Sequence, residues 1–414
     1  MAFLATIRTR TAVGAVLGAA VLLTSRAAGT AAPPQAAAQP ALQVGALAQD
    51  VRNEDPRIRR SALKALAESG AVEALPLLGV LVADPDNGIQ ARAIAAVLSL
   101  YVEPLPKDRV GSAEDAFGLA PWRVVPWPVP MELRRGLVSA LADDSIPVRR
   151  DAVYALGVVM RPPLDARLAD EVLASLSDRD ASVRLAAARV LGTLRVTSAG
   201  VPLIGRVNDE VLDVRLAAMR SLGDIRERRA VQALTEQFAF YGDTAGARAA
   251  LDALARIAHP DSVPLFAAQA TSRHAPLRQA AHEGLARTGA AAGLRTEIQA
   301  ARQSERVETV AIAMDYALAA AGDDLIGQIA GGLQWPKVHQ QALEYLVELG
   351  ARNPEAVAAQ IARPEAEVRR DTAVALGFLG GPVPTSALSR AATDASPEVQ
   401  RAAQVALARA RLAR

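Results

Sequence analysis

"DDSIPVRRDAVYALG" (143–157), "DRDASVRLAAARVLG" (178–192) and "NDEVLDVRLAAMRSLG" (208–223) are three versions of one pattern. An acid is followed five residues later by an aliphatic residue and Arg, and the segment closes on Leu-Gly. With that aliphatic residue as anchor, the pattern recurs at Ile58, Ile89, Val148, Val183, Val214, Gly246, Leu277, Val310, Val338, Val368 and Val399. Successive anchors lie 28 to 35 residues apart, with one gap of 59 between Ile89 and Val148. Ala stands four past the anchor in nine of eleven units, and Leu stands eight past it in ten. Offsets 0, +4 and +8 fall on one stripe of an α-helix. Ala at +4 lets a neighbouring helix come close, and Leu at +8 fills the space beside it. Gly246 breaks the aliphatic rule and makes the sixth unit degenerate.

Between anchors runs a second apolar helix, as in "ADEVLASLS" (169–177) and "AVQALTEQFAF" (230–240). Each unit is therefore a helical hairpin of about thirty residues, too small to bury its own face and stable only against its neighbours. Asp84, Asp143, Asp178, Asp209 and Asp394 lie five residues before an anchor, near the expected helix start. Ser145 and Ser396 are expected N-caps, and Pro56, Pro147, Pro276 and Pro397 fall in the first turn, where a missing N–H costs little.

These residues resemble the HEAT-like repeats of the phycobilisome-lyase type, with the pattern Asp…Val-Arg-x-x-Ala-x-x-x-Leu-Gly, over about Val51 to Leu412. The resemblance implies an all-α, right-handed superhelical α-solenoid of about eleven HEAT-like helix hairpins. It says little about activity, because such repeats serve as scaffolds, lyases, hydroxylases and nucleic-acid enzymes. Arg follows the anchor at 59, 149, 184, 215, 278 and 369. A charge repeated this regularly belongs to the repeat, and Arg and Asp of adjacent units are expected to pair and satisfy helix-end amides.

The chain has 414 residues, 51% hydrophobic and only 3% aromatic, with no Cys. That excludes a disulfide scaffold, a Cys-ligated metal site and a thiol nucleophile. Residues 1–32 carry Arg8, Arg10 and Arg26 and no acid; the remainder holds 43 Lys+Arg against 44 Asp+Glu. A near-neutral body argues against a nucleic-acid partner. The leader itself has a basic start, an apolar run from Ala12 to Leu23 and a small-residue stretch, the layout of a signal peptide. The run is shorter than the ~20 residues that span a bilayer. The expected organisation is a signal peptide at 1–32, a flexible linker at 33–45 and the repeat solenoid at 46–414. An exported protein, periplasmic or secreted, follows, with membrane contact only if the leader is retained as an anchor.

Function in a solenoid resides where its units differ. The long gap implies a Pro/Trp-rich insertion at about 101–130, containing Trp122 and Trp127 in "APWRVVPWPVP". Proline-dense backbone of this kind is stiff and non-helical. It forms either a strap that lays the two indoles on the solenoid or a ledge for a partner chain. The second difference is at anchor +6, which reads Lys64, Ala95, Tyr154, Arg189, Arg220, Asp252, Glu283, Tyr316, Glu344, Val374 and Val405. Its charges are positive through the fifth unit and negative from the sixth. The resemblance places this helix on the concave side, implying a groove whose sign flips near residues 230–245; the alternative is that these are ordinary solvated positions. Four histidines are present, and the single His-Glu pair, His282-Glu283, lacks the partners that a metal needs. No catalytic residue, metal or cofactor is assigned. The expected function is an exported, non-catalytic scaffold for a protein or peptide partner; the alternative is a HEAT-like lyase or metal-dependent hydroxylase-type enzyme.

Overall fold

An upstream acid, a first-turn proline and the aliphatic stripe mark the start of several long helices. The computed structural model describes residues 44–102, 111–119, 124–125, 127–242, 244–379 and 382–412; the leader, most of the linker and Trp122 lie outside them. The chain begins with α1 (Pro56–Ser69), α2 (Leu75–Val82), α3 (Asn87–Tyr101), α4 (Ala113–Leu119), α5 (Met131–Ala140) and α6 (Ile146–Val159). It continues through α7 (Ala166–Ala174), α8 (Ala181–Thr193), α9 (Gly200–Arg206), α10 (Leu212–Asp224), α11 (Val231–Tyr241) and α12 (Ala245–Ile257). The third stretch holds α13 (Val263–Gln269), α14 (Ala275–Thr288), α15 (Arg295–Ser304), α16 (Glu308–Ala320) and α17 (Ile326–Gly331). The last helices are α18 (His339–Gly350), α19 (Pro354–Ala358), α20 (Ala366–Leu376), α21 (Thr385–Ala391) and α22 (Pro397–Leu412). Among the described residues the only strand-like pairing is one antiparallel bridge, Val102 to Val124. The fold is all-α.

Asp55, Asp86 and Asp180 cap α1, α3 and α8 by accepting N–H bonds from Arg57, Ile89 and Ser182. These bonds satisfy helix-start donors that would otherwise be orphaned. Pro56, Pro147 and Pro276 stand in first turns as expected. Ser145 occupies the cap position of α6 without making the cap bond. Instead its N–H, like that of Ser396, donates at 2.8 Å to the carboxylate two residues upstream, Asp143 or Asp394. The acid thus fixes the turn that leads into the helix and does not meet a helix-start N–H.

The stripe is the core. At +4, all eleven residues from Ala62 to Ala403, including Met314 and Thr372, are at most 2% exposed. At +8, nine of the eleven residues are completely buried. Each anchor helix packs on the next, from α1 through α3, α6, α8, α10, α12, α14, α16, α18 and α20 to α22. The short helices fill the other side of the hairpins. Gly223 at +9 permits a close approach of the next long helix: a Cβ there would lie 2.8 Å from the Cα of Ala253.

The gap of 59 contains one ordinary hairpin, α5–α6, preceded by the insertion. Its backbone is fastened to the end of α3: Tyr101 Oη donates to Pro128 O at 2.9 Å, and Trp127 Nε1 donates to Leu100 O at 3.0 Å. The Val125 N–H donates to Tyr101 O at 2.8 Å. From α22, Arg409 reaches Val124 O at 2.7 Å while its guanidinium lies 3.9 Å from the Phe378 ring centroid. The described part of the insertion is thus tied to α3 and to α22.

Candidate functional site

Two rows of polar side chains run along the long helices. The first is built from Arg at +1. Arg59 donates from Nε and Nη2 to Asp84 at 2.6 and 2.9 Å, while Nη1 reaches the carbonyls of Asn53 and Glu54. Arg149–Asp178, Arg184–Asp209 and Arg369–Asp394 repeat this fork, each with the same two upstream carbonyls. Arg278 takes Glu305 instead. Every rung joins one hairpin to the next, and the planar guanidinium suits bidentate pairing. The Arg149 hydrogen bond pulls Asp178 below its ordinary range. Burial pushes Asp209 upward, but Arg184 and the Val211 N–H outweigh it.

The degenerate sixth unit is a paired change. Its residue five before the anchor is Tyr241, whose hydroxyl accepts Arg215 Nε at 2.7 Å in place of a carboxylate. A Cβ on Gly246 would lie 2.3 Å from the Tyr241 ring. Tyrosine replaces both the acid and the anchor side chain, so glycine is required opposite it.

The second row lies at +6 and +10, where hairpins six to nine share one buried network. Arg287 donates to Glu283 at 2.8 Å and, bidentate, to Glu348 at 3.0 Å, with its guanidinium 5.5 Å from the Tyr316 ring centroid. Tyr316 stacks on Tyr345 at 4.1 Å and donates to Glu348 at 2.5 Å; Tyr345 donates to Glu283 at 2.6 Å. Arg256 bridges Asp224 and Glu344, each at 3.2 Å. Side chains three hairpins apart can meet this way only where the long helices converge. Burial pushes Asp252 up to about 6, helped by the neighbouring Glu283 charge. Arg287 and the Tyr345 hydroxyl hold Glu283 itself low against its own burial.

A family model described as HEAT repeats matches residues 169–239, from α7 into α11. Over residues 169–239 the chain is similar to HEAT repeats. No curated protein matches the sequence. Among solved structures, an engineered protein is similar at 19% identity and TM-score 0.41, covering 89% of this chain and 98% of that one. The complex of CpcE and CpcF of phycocyanin lyase from Nostoc sp. PCC7120 is similar at 23% identity and TM-score 0.41, covering 60% and 95%. Kap121p bound to Pho4p is similar at 14% identity and TM-score 0.40, covering 90% of this chain and 45% of that chain.

Within these HEAT-like repeats the +6 residues have very different surroundings. Lys64 is exposed, 3.7 Å from Glu68. Tyr154 is buried under the insertion's own helix α4: Phe117 packs at 5.3 Å, and the Arg189 guanidinium lies 5.4 Å from both ring centroids. Glu114 of α4 accepts Arg189 at 2.5 Å. Arg220 is exposed. Glu283, Tyr316 and Glu344 join the network above, and Asp252 lies 3.4 Å from Arg248. The acidic half of the row is therefore matched internally by Arg248, Arg256 and Arg287, which stand at offsets +2 and +10 and so lie outside the +6 row. Trp127 is 41% exposed with its indole N–H already engaged. Trp335 and Phe240, also exposed, gave no sequence signal because neither stands at a repeated offset of the stripe. His282 is 2% exposed with both ring nitrogens unpartnered, and burial together with Arg278 lowers it to about 4. No group of three or more His, Cys, Asp or Glu among the described residues is arranged to hold a metal.

Proposed function

We propose that this protein is an exported scaffold that binds a protein partner along its long-helix row. The observation that supports this is the change of chemistry along one continuous face. Side chains at equivalent offsets stand on successive packed helices, closed by internal pairs at hairpins six to nine but carrying exposed Arg220 on the fifth. A surface of repeated rungs with one unneutralised stretch suits recognition of an extended chain better than turnover of a small molecule. The basic start and short apolar run of residues 1–32 support export.

Cross-linking mass spectrometry on the tagged chain, recovered from the envelope fraction of its native cell, tests both parts. The scaffold reading expects one partner cross-linked to α8 and α10, and an intact mass lacking roughly the first thirty residues. Cross-links confined to the short helices would contradict the binding face. A mass that includes Met1 in cytosolic protein would contradict export.

A further inference from the structure

Long helices of this stack commonly end with a left-handed residue at anchor +12. Gly70, Gly289 and Gly322 fill it in three hairpins, with φ of 59°, 79° and 104°. Glycine adopts this conformation without the Cβ clash that other residues suffer. In hairpin six the residue there is Ala258 (φ 55°), and in hairpins four and five it is Arg195 (φ 51°) and Arg226 (φ 55°). Both helix ends are closed normally: Val196 N–H reaches Leu191 O and Glu227 N–H reaches Leu222 O, each at 3.0 Å. The fold asks only for a left-handed turn. Two successive hairpins nevertheless place a strained arginine there, and both side chains are exposed. Residues kept in unfavourable backbone regions cluster at functional sites.

Arg220 joins them from the +6 row of α10 and is also exposed. One carboxylate faces this group. Asp224 feels Arg256, Arg195 and Arg220 together, yet hydrogen-bonds only to Arg256, and burial holds it above its ordinary range. Among the described residues none of Arg195, Arg220 and Arg226 has an ion pair or hydrogen bond of its own side chain. One hairpin earlier the protein shows what satisfies such a row: Glu114 from the insertion sits on Arg189, the +6 arginine of α8.

We propose that Arg195, Arg220 and Arg226 form a docking surface for an acidic segment of a partner protein, which continues the row that Glu114 begins. The inference rests on the scaffold reading and adds the partner's chemistry. A protein segment fits better than a nucleic acid, because Asp224 lies among the arginines and the chain beyond residue 32 is near-neutral, with 43 Lys+Arg against 44 Asp+Glu.

The probe is a fluorescein-labelled peptide of four Glu-Ala-Asp repeats, followed by anisotropy on the full exported chain, with labelled twelve-residue oligothymidylate beside it. Binding should weaken as salt rises. The R195G/R220Q/R226G variant should bind the peptide at least tenfold more weakly. R195G/R226G alone should bind more weakly yet melt about 1–3 °C higher, because glycine relieves two left-handed turns. A merely structural role for the arginines would not raise stability while lowering affinity. Less than a twofold change in the triple variant overturns the inference, as does tighter, arginine-dependent binding of the oligothymidylate. If the partner recovered by cross-linking holds the triple variant undiminished, the acidic inference fails and the scaffold reading stands. If no partner is recovered while the peptide separates parent from variant, the scaffold reading fails and the acidic surface stands.

Discussion

Arg184 and Arg287 are both buried arginines on long helices, but they tie the stack together over different distances. Arg184 reaches Asp209 in the next hairpin and goes no further. Arg287 holds Glu283 on its own helix and Glu348 two hairpins on. The first contact recurs wherever Arg stands at +1 and couples nearest neighbours, the situation in which stability adds up unit by unit. The second occurs once, where the helices converge, and binds hairpins six to nine into a block. Repeating charge makes a ladder. Non-repeating charge makes a domain within it.

The most severe way to break that contrast is Arg287→Met. It leaves Glu283 and Glu348 buried without their shared cation, and loss of one partner of a buried pair costs about 3–5 kcal/mol. Chemical denaturation should show this loss, and hydrogen exchange should rise together in α12, α14, α16 and α18. Arg184→Met should cost about 3 kcal/mol by the same mechanism, with faster exchange confined to α8, α10 and the loop between them. Equal spreading in the two variants would erase the distinction.

Acid sharpens the comparison within the block. His282 stays neutral in the fold until about pH 4, whereas an unfolded histidine takes its proton near 6.5. Its contribution is therefore complete above pH 6.5 and is lost as pH falls toward 4. His282→Leu should be more stable than the parent at pH 5 by about 2 kcal/mol, with the gap closing above pH 7. Asp252 acts with the opposite sign: raised to about 6, it holds a proton in the fold that the unfolded chain releases, so its contribution grows as pH falls from 6 toward 3.8. Asp252→Asn should leave the histidine slope isolated. The smallest effect belongs to the helix starts. Asp180→Ala should cost about 1 kcal/mol by loss of its cap, and Ser145→Ala less than 0.5 kcal/mol. A larger loss from the serine would revive the capping role that its side chain does not perform.

Much of the ladder was legible in the sequence because it obeys short-range rules. The stripe at 0, +4 and +8 marks the buried face, Asp at −5 and Arg at +1 mark each joint, and the gap of 59 locates the insertion. The network was not legible, since it depends on curvature. Nothing in the spacing of Arg256 and Glu344 says that helices three hairpins apart will meet. The +6 row thus read as a groove changing sign, whereas Arg248, Arg256 and Arg287 neutralise its acidic half from offsets +2 and +10. Gly246 read as decay of the motif. It is half of an exchange with Tyr241 that only packing reveals.

That exchange offers the most direct test of the account, which holds that an arginine at +1 and the residue it meets lock one hairpin to the next. Denaturation midpoints of Tyr241→Asp, Gly246→Val and the double variant decide it. Each single change should cost about 2 kcal/mol: the first empties the space beside Gly246, and the second drives a side chain into the tyrosine ring. Together they rebuild the ordinary rung, Arg215 on a carboxylate beside an aliphatic anchor, and should restore stability to within about 1 kcal/mol of the parent. Losses that simply add in the double variant would contradict the account.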